Sequence, residues 1–238
     1  MDDSDRLPAP YPGPTAGRPL LGLTVLVVED SRYASEALRL LCLRSGARIR
    51  RADSLRAARR HLQVYRPTAV IVDLGLPDGS GTELIRELDR AVPRISVLLG
   101  ASADPGGEVE AAAAGADAFL AKPITSLALF QAAILSRLPA DRQPAGPRGI
   151  SDEHVVPDPL ALQDDFTLVA SRLEDPCGAD IDYIAQFVAG LAYSSNDAAL
   201  ADAASALARA RGSGNLAGAE RSQLAGVLQA RLAEPRAI

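Results

Sequence analysis

The stretch AVIVDLGLPDGSG, residues 69–81, decides how this chain folds. Its first four residues are apolar and mostly β-branched, which is typical of a strand buried on both faces of a parallel sheet. The strand ends at Asp73, and Gly79 and Gly81 turn the chain towards a helix. A buried strand that leads through a glycine turn into a helix indicates one β/α unit of an α/β domain.

Similar short runs lie on either side of this unit. They are TVLVV (24–28), ARIR (47–50), ISVLL (95–99) and AFL (118–120). Amphipathic segments with helical spacing separate the runs, so the sequence predicts five strands that alternate with five helices. The second run is short and polar, which favours a place near the edge of the sheet. We therefore predict a doubly wound, parallel (βα)5 sheet of the α/β class.

The composition changes along the chain and predicts four regions. Residues 1–20 are predicted to be a disordered leader, because they are rich in Asp and Pro and lack the basic and apolar parts of a signal peptide. Residues 21–138 form the α/β domain. Residues 139–159 are rich in Pro, Gly and charge, which is typical of a linker. Residues 160–238 are alanine-rich with helical spacing, which predicts a small all-α C-terminal domain.

Charge and composition argue against several classes of protein. The net charge is −5, and in residues 160–238 acidic side chains outnumber the six arginines, so binding to DNA is not expected. No apolar run is long enough for a membrane span, so a membrane partner is not expected either. Two cysteines cannot form a disulfide framework, which favours a cytoplasmic location.

Charged residues follow three of the predicted strands. Glu29 and Asp30 end the first strand, Asp73 ends the third, and Lys122 ends the fifth and is the only lysine in the chain. Ligands of an open parallel sheet bind at the carboxyl ends of its strands, so these side chains are expected to converge. Three neighbouring carboxylates favour a divalent cation such as Mg²⁺. Together with a lysine, they suit the formation of an aspartyl phosphate.

Three segments that carry these residues resemble the receiver domains of bacterial two-component response regulators. They are VLVVEDS (25–31), VDLGLPDGSG (72–81) and GADAFLAKPI (115–124). The resemblance implies a flavodoxin-like fold and Mg²⁺-dependent phosphorylation of an aspartate. It also implies a histidine kinase or a histidine phosphotransfer protein as the phosphodonor. The protein would then be a phosphoryl acceptor and not an enzyme, with at most an intrinsic autophosphatase activity.

The resemblance also implies a role for each matching residue. Asp73 is the phosphoacceptor, and Lys122 binds the phosphoryl group. Glu29 and Asp30 are the acidic pair that holds the metal with Asp73. The backbone carbonyl of Gly75 completes the set of protein metal ligands.

The predicted switch positions depart from the family pattern. Phe119 takes the place of the aromatic switch residue, but counting back from Lys122 puts Gly100, which has no hydroxyl, where the family has Thr or Ser. Ser102 is close in sequence but out of that register. The alternative to a phosphorylation-regulated response regulator is therefore a scaffold or dimerisation protein that works independently of phosphorylation.

The C-terminal region is faintly similar to histidine phosphotransfer domains over residues 200–220. Ala204 or Ser205 would occupy the position of the phosphorylated histidine, which makes the predicted bundle a degenerate one. We expect its output to be a protein–protein contact with a downstream partner that the sequence does not identify. A homodimer through the fifth helix or through the bundle is compatible with either function.

Overall fold

The computed structural model describes residues 13–146, 149, 151–174, 180–213 and 217–234. Its strands are β1 (Thr24–Val28), β2 (Arg48–Ala52), β3 (Ala69–Asp73), β4 (Gly75–Leu76), β5 (Gly79–Ser80), β6 (Val97–Ser102) and β7 (Ala118–Ala121). Five of them form a parallel sheet in the order β2-β1-β3-β6-β7, while β4 and β5 form a short antiparallel ribbon. The polar strand β2 therefore lies at an edge, as its sequence predicted.

Five helices cover the two faces of this sheet. They are α1 (Arg32–Ser45), α2 (Leu55–Val64), α3 (Gly81–Asp89), α4 (Gly107–Ala114) and α5 (Leu127–Leu135). Side chains of α1 and α5 pack with Val27 and Ile71 on one face, and side chains of α2, α3 and α4 pack with Leu26 and Val70 on the other. Because both faces are covered, the central strands are apolar throughout. The predicted doubly wound α/β fold is confirmed.

Polar side chains and glycines set the ends of these helices. The hydroxyl groups of Ser31, Ser54 and Ser126 accept hydrogen bonds from backbone N–H groups in the first turns of α1, α2 and α5. Gly46 and Gly115 end α1 and α4 with φ values of 85° and 102°, a conformation that glycine adopts without steric cost. These short-range signals place each helix between two strands.

Four further helices form a second, all-helical unit, which we call the bundle. They are α6 (Pro159–Glu174), α7 (Ile181–Ser195), α8 (Ala198–Gly212) and α9 (Gly218–Ala233). The bundle has its own apolar core, in which Phe166, Val188, Leu207 and Leu224 are buried. The side chain of Asp197 caps α8 by accepting a hydrogen bond from Leu200 N.

The segments that flank the α/β domain contribute to its core. In the stretch predicted to be a linker, residues 139–159, Val155 is buried against the face that carries α1 and α5, and its N–H donates to the carbonyl of Thr125 at 2.9 Å. Residues 1–12 of the predicted leader lie outside the described residues. Leu20, the last residue of that leader, is buried in the same core as Val155. The chain is thus held against the α/β domain before it enters the bundle.

The bundle packs on the α/β domain at the edge where the strands end. Helix α6 lies against α1, and α7 lies against both α1 and the β4 strand. Within the described residues, none of the helices has the length and apolar character that a membrane crossing requires.

Candidate functional site

The charged residues singled out in the sequence meet at the carboxyl edge of the sheet. Glu29 and Asp30 directly follow β1, Asp73 is the last residue of β3, and Lys122 directly follows β7. Strand β1 pairs in parallel with β3, so their ends lie side by side. The topology of the sheet, with β1 and β3 at its centre, therefore brings these four side chains together.

Lys122 binds two of the carboxylates directly. Its Nζ lies 2.7 Å from Glu29 Oε2 and 2.8 Å from Asp73 Oδ2, and all three side chains are buried. Burial alone would lower the pKa of Lys122, but the negative charges of Asp73 and Glu29 outweigh it and the pKa is raised. The ammonium group is therefore a permanent positive charge beside Asp73.

The three carboxylates form a compact acidic cluster. Glu29, Asp30 and Asp73 each offer one oxygen, and these oxygens lie within 4.8 Å of one another. Burial, followed by the charge of Asp73, raises the pKa of Glu29 well above its ordinary range and that of Asp30 to about 7. The raised pKa values of Glu29 and Asp30 indicate that the single positive charge of Lys122 does not neutralise the three buried carboxylates.

The cluster fits a small divalent cation. The Oδ1 atom of Asp30 is buried and accepts no hydrogen bond from any described residue. A buried carboxylate oxygen without a donor is costly unless a cation neutralises it, and a hard cation such as Mg²⁺ prefers oxygen ligands. Gly75 lies beside the cluster, since its N–H donates to Asp73 Oδ1 at 3.4 Å. That its carbonyl ligates the metal stays a prediction.

Gly100, the predicted switch position, lies near the end of β6. It is inside the strand, where an added Cβ would come within 2.6 Å of Ala111 Cβ in α4. Ser102 is the last residue of β6, and its buried side chain lines the same cavity as Asp73 and Lys122. The hydroxyl oxygen of Ser102 accepts a hydrogen bond from Asp104 N at 3.0 Å. That Gly100 is the switch position stays a prediction.

The aromatic residue assigned to the switch lies on the neighbouring strand. Phe119 pairs with Gly100 in the sheet and packs, partly buried, against the core on the side of α4. Its ring lies close to Gly107, the first residue of α4. Its role as a switch residue stays a prediction.

Comparison with known proteins assigns this part of the chain. The family model for the response regulator receiver domain matches residues 25–134. These residues form a response regulator receiver domain. As members of a two-component system, receiver domains accept phosphoryl groups from histidine kinases or phosphotransfer proteins, and they bind Mg²⁺ at an acidic pocket.

Curated relatives and solved structures resemble the receiver domain. The KDP operon transcriptional regulatory protein KdpE of Escherichia coli is 39% identical over 101 residues, which are 42% of this chain and 44% of the relative. The virulence transcriptional regulatory protein PhoP of Salmonella typhimurium is 36% identical over 102 residues, or 42% and 46% of the two chains. This chain therefore spans less than half the length of these curated relatives.

Two solved receiver domains illustrate the structural likeness. One belongs to a signal transduction histidine kinase from Syntrophus aciditrophicus, with 25% identity, a TM-score of 0.46, and coverage of 53% of this chain and 98% of that chain. The other belongs to a sensor histidine kinase from Pseudomonas aeruginosa and has a magnesium ion in its active site cleft. Its identity is 23% and its TM-score 0.44, and the match covers 49% of this chain and 97% of that chain.

Two side chains of the bundle that are partly or fully buried bind the receiver domain beside the acidic cluster, which the sequence did not reveal. The hydroxyl of Tyr183 in α7 donates a hydrogen bond to Asp30 Oδ2. Asp165 in α6 is fully buried, and its carboxylate accepts hydrogen bonds from Ser31 Oγ at 2.8 Å and from the N–H groups of Arg32 and Tyr33. The bundle thus holds both a residue of the acidic cluster and the first turn of α1.

A cavity of about 670 Å³ lies between the receiver domain and the bundle. Glu29, Asp73, Ser102 and Lys122 line its floor, and helices α7 and α8 form the opposite wall. That wall includes the segment at Ala204 and Ser205 that the sequence likened to the histidine position. The cavity is large enough for a phosphoryl group and several water molecules.

Sequence reasoning missed Tyr183 and Asp165 because their partners are far away in the chain. Asp165 is separated from Ser31 by 134 positions, and Tyr183 from Asp30 by 153. One signal was present: Asp165 follows Asp164 within an otherwise apolar helical pattern, and a buried carboxylate needs a partner. The sequence does not show where such a partner lies.

Proposed function

We propose that this protein is a two-component response regulator that is phosphorylated on Asp73 in a Mg²⁺-dependent reaction. A histidine kinase or a histidine phosphotransfer protein is the proposed donor. The observation that carries the proposal is the position of Asp73, which belongs to the acidic cluster and lies 2.8 Å from the ammonium group of Lys122. An aspartate in such surroundings can act as a nucleophile towards phosphorus.

Each residue of the site has a proposed part in this reaction. The carboxylate of Asp73 is the nucleophile, and Lys122 stabilises the negative charge of the incoming phosphoryl group. Glu29, Asp30, Asp73 and the carbonyl of Gly75 would hold Mg²⁺. When bound, Mg²⁺ supplies positive charge that offsets the phosphoryl oxygens.

We propose that the bundle delivers the output through a protein contact. The hydroxyl of Tyr183 in α7 binds Asp30, a member of the acidic cluster, so a change in charge at Asp73 reaches α7 through Asp30. The excess of acidic side chains in residues 160–238 favours a protein partner over DNA. The proposal includes a cytoplasmic location, in keeping with Cys42, which is a free, buried thiol.

Incubation with acetyl phosphate tests the proposal. The intact protein should gain the mass of one phosphoryl group when Mg²⁺ is present and none when EDTA removes it. The variant Asp73→Asn should gain none under either condition. Asp104→Asn is a matched control, because Asp104 lines the same cavity but lies outside the acidic cluster, and it should be labelled like the unchanged protein.

Two results would contradict the proposal. Labelling that is independent of Mg²⁺ or that survives in Asp73→Asn would show that the acceptor is another group. A complete lack of labelling would favour the phosphorylation-independent scaffold. If labelling occurs, small-angle scattering of the labelled and unlabelled protein measures whether the bundle and the oligomeric state respond.

A further inference from the structure

One side chain of the bundle reaches the loop that follows the phosphoacceptor. Gln186 lies in α7, and its amide group is so close to Gly75 that an added Cβ there would come within 2.6 Å of Gln186 Nε2 and 3.0 Å of Oε1. Gly75 is two residues from Asp73, and its N–H faces the carboxylate of Asp73. The amide of Gln186 therefore lies against the loop that directly follows the phosphoacceptor of the proposed function.

The surroundings leave this amide available for water. Gln186 and Asp73 line the same cavity, and Gln186 is exposed. Within the described part of the chain, the side-chain amide of Gln186 makes no hydrogen bond, although it has two donor hydrogens and an acceptor oxygen. A primary amide can accept a hydrogen bond from a water molecule through its oxygen and donate one to a phosphoryl oxygen through its nitrogen.

The position of α7 is set by contacts on either side of Gln186. Tyr183, one turn earlier, binds Asp30 through its hydroxyl, and Phe187 and Val188 are buried in the core of the bundle. Gln186 is therefore presented to the cavity by a helix that is anchored at both the receiver domain and the bundle. A side chain presented by an anchored helix loses little freedom when it orients a reactant.

Hydrolysis of an aspartyl phosphate requires an oriented water molecule. The oxygen of water forms a bond to phosphorus while the bond between phosphorus and the Asp73 oxygen breaks, and its electron pair returns to the carboxylate. One proton of the water remains on the inorganic phosphate and the other passes to solvent or to a phosphate oxygen. Enzymes that cleave phosphoanhydrides use a glutamine amide to orient the attacking water.

We propose that Gln186 orients the water that hydrolyses the aspartyl phosphate on Asp73, so that the bundle is a built-in phosphatase element. This inference rests on the phosphorylation of Asp73 proposed above. The inference assigns to the bundle an activity beyond a docking function. The rate of this hydrolysis sets the lifetime of the phosphorylated state. The class of substrate is the acyl phosphate of this same chain.

The lifetime of the phosphorylated protein tests the inference. Full-length protein is labelled with acetyl phosphate and Mg²⁺, excess donor is removed, and the decay of the labelled species is followed by intact mass. Gln186→Met keeps the length of the side chain and a high helix propensity but removes the amide. Gln229→Met makes the same change on α9, in a separate cleft of the bundle, and is the matched control.

We expect Gln186→Met to be labelled to at least the same extent as the unchanged protein and to decay about tenfold more slowly, since orientation and proton transfer contribute factors of this order or larger. Gln229→Met should decay at the unchanged rate. Equal decay of Gln186→Met and the unchanged protein, or faster decay, overturns the inference while leaving the phosphorylation of Asp73 intact. A lack of labelling in the unchanged protein overturns both.

Discussion

Asp165 offers the sharpest test of how the bundle is attached to the receiver domain. This fully buried carboxylate accepts hydrogen bonds from Ser31 Oγ at 2.8 Å and Tyr33 N at 3.0 Å through Oδ2, and from Arg32 N at 2.9 Å through Oδ1. It thus places a negative charge at the N-terminus of α1, where the helix dipole favours one. The substitution Asp165→Asn keeps the shape but exchanges one oxygen for an NH₂ group.

The magnitude follows from the bonds that the amide cannot make. The amide can turn its oxygen towards Ser31 and Tyr33, so that its NH₂ group faces the N–H of Arg32. One hydrogen bond to a charged acceptor is then lost, at roughly 1.5–3 kcal/mol. Burial raises the pKa of Asp165, which means that the carboxylate itself is partly destabilised in this place, so we take the lower end. We expect a loss of about 1.5 kcal/mol, or on the order of 10-fold in the docking equilibrium.

The receiver domain should remain folded in this variant. The hydroxyl of Ser31 still accepts a hydrogen bond from Ala34 N at 3.0 Å, so α1 keeps its own cap. The substitution should therefore weaken the contact between the two units more than either unit. Limited proteolysis within residues 139–158 and the radius of gyration from small-angle scattering both measure that contact.

The neighbouring residue provides a matched control. Asp164 carries the same charge and pairs with Arg32 at 2.6 Å, but the two side chains are 54% and 69% exposed. Exposed pairs contribute about 0–1 kcal/mol, so Asp164→Asn should stay as compact and as resistant as the unchanged protein. If Asp165→Asn were as compact and resistant as Asp164→Asn, the buried carboxylate would not hold the bundle, and our reasoning would be refuted.

Two further predictions concern the site itself. Tyr183→Phe removes the hydroxyl that donates to Asp30, so the affinity for Mg²⁺, measured by titration calorimetry, should fall about tenfold, as for other residues that support a metal ligand. The control Tyr65→Phe should leave the affinity for Mg²⁺ unchanged. Tighter binding of Mg²⁺ by Tyr183→Phe would mean that the hydroxyl competes with the ion for Asp30. Gly100→Ala places a Cβ 2.6 Å from Ala111 Cβ, so urea unfolding should show a loss of about 1–3 kcal/mol. An unaltered free energy of unfolding would show that α4 moves freely away from β6.

Much of the receiver domain could be predicted because its signals are local. Apolar runs, serine caps and the glycines at the ends of α1 and α4 act within a few residues of one another. The convergence of Asp73 and Lys122 was also predictable, since all strands of a parallel sheet have their carboxyl ends at the same edge. The pairing of Lys122 with both Glu29 and Asp73 needed the three-dimensional structure.

The end of β6 shows what counting along the chain leaves open. A position two residues away along a strand lies on the same face, so Gly100 and Ser102 face the same side of the sheet. Gly100 lies beneath Ala111, whereas Ser102 is the last residue of the strand and lines the cavity at Asp73. The spacing to Lys122 does not show which residues of β6 reach that cavity.

The sequence by itself determined the α/β fold of the receiver domain and the chemistry of the edge at Asp73, because periodicity and strand order act through short-range rules. Only the tertiary structure decided that the bundle covers that edge. Its contacts through Asp165, Tyr183 and Gln186 join residues more than 100 positions apart. Such pairs depend on how two separately cored units fit together, and no local pattern in the chain records that fit.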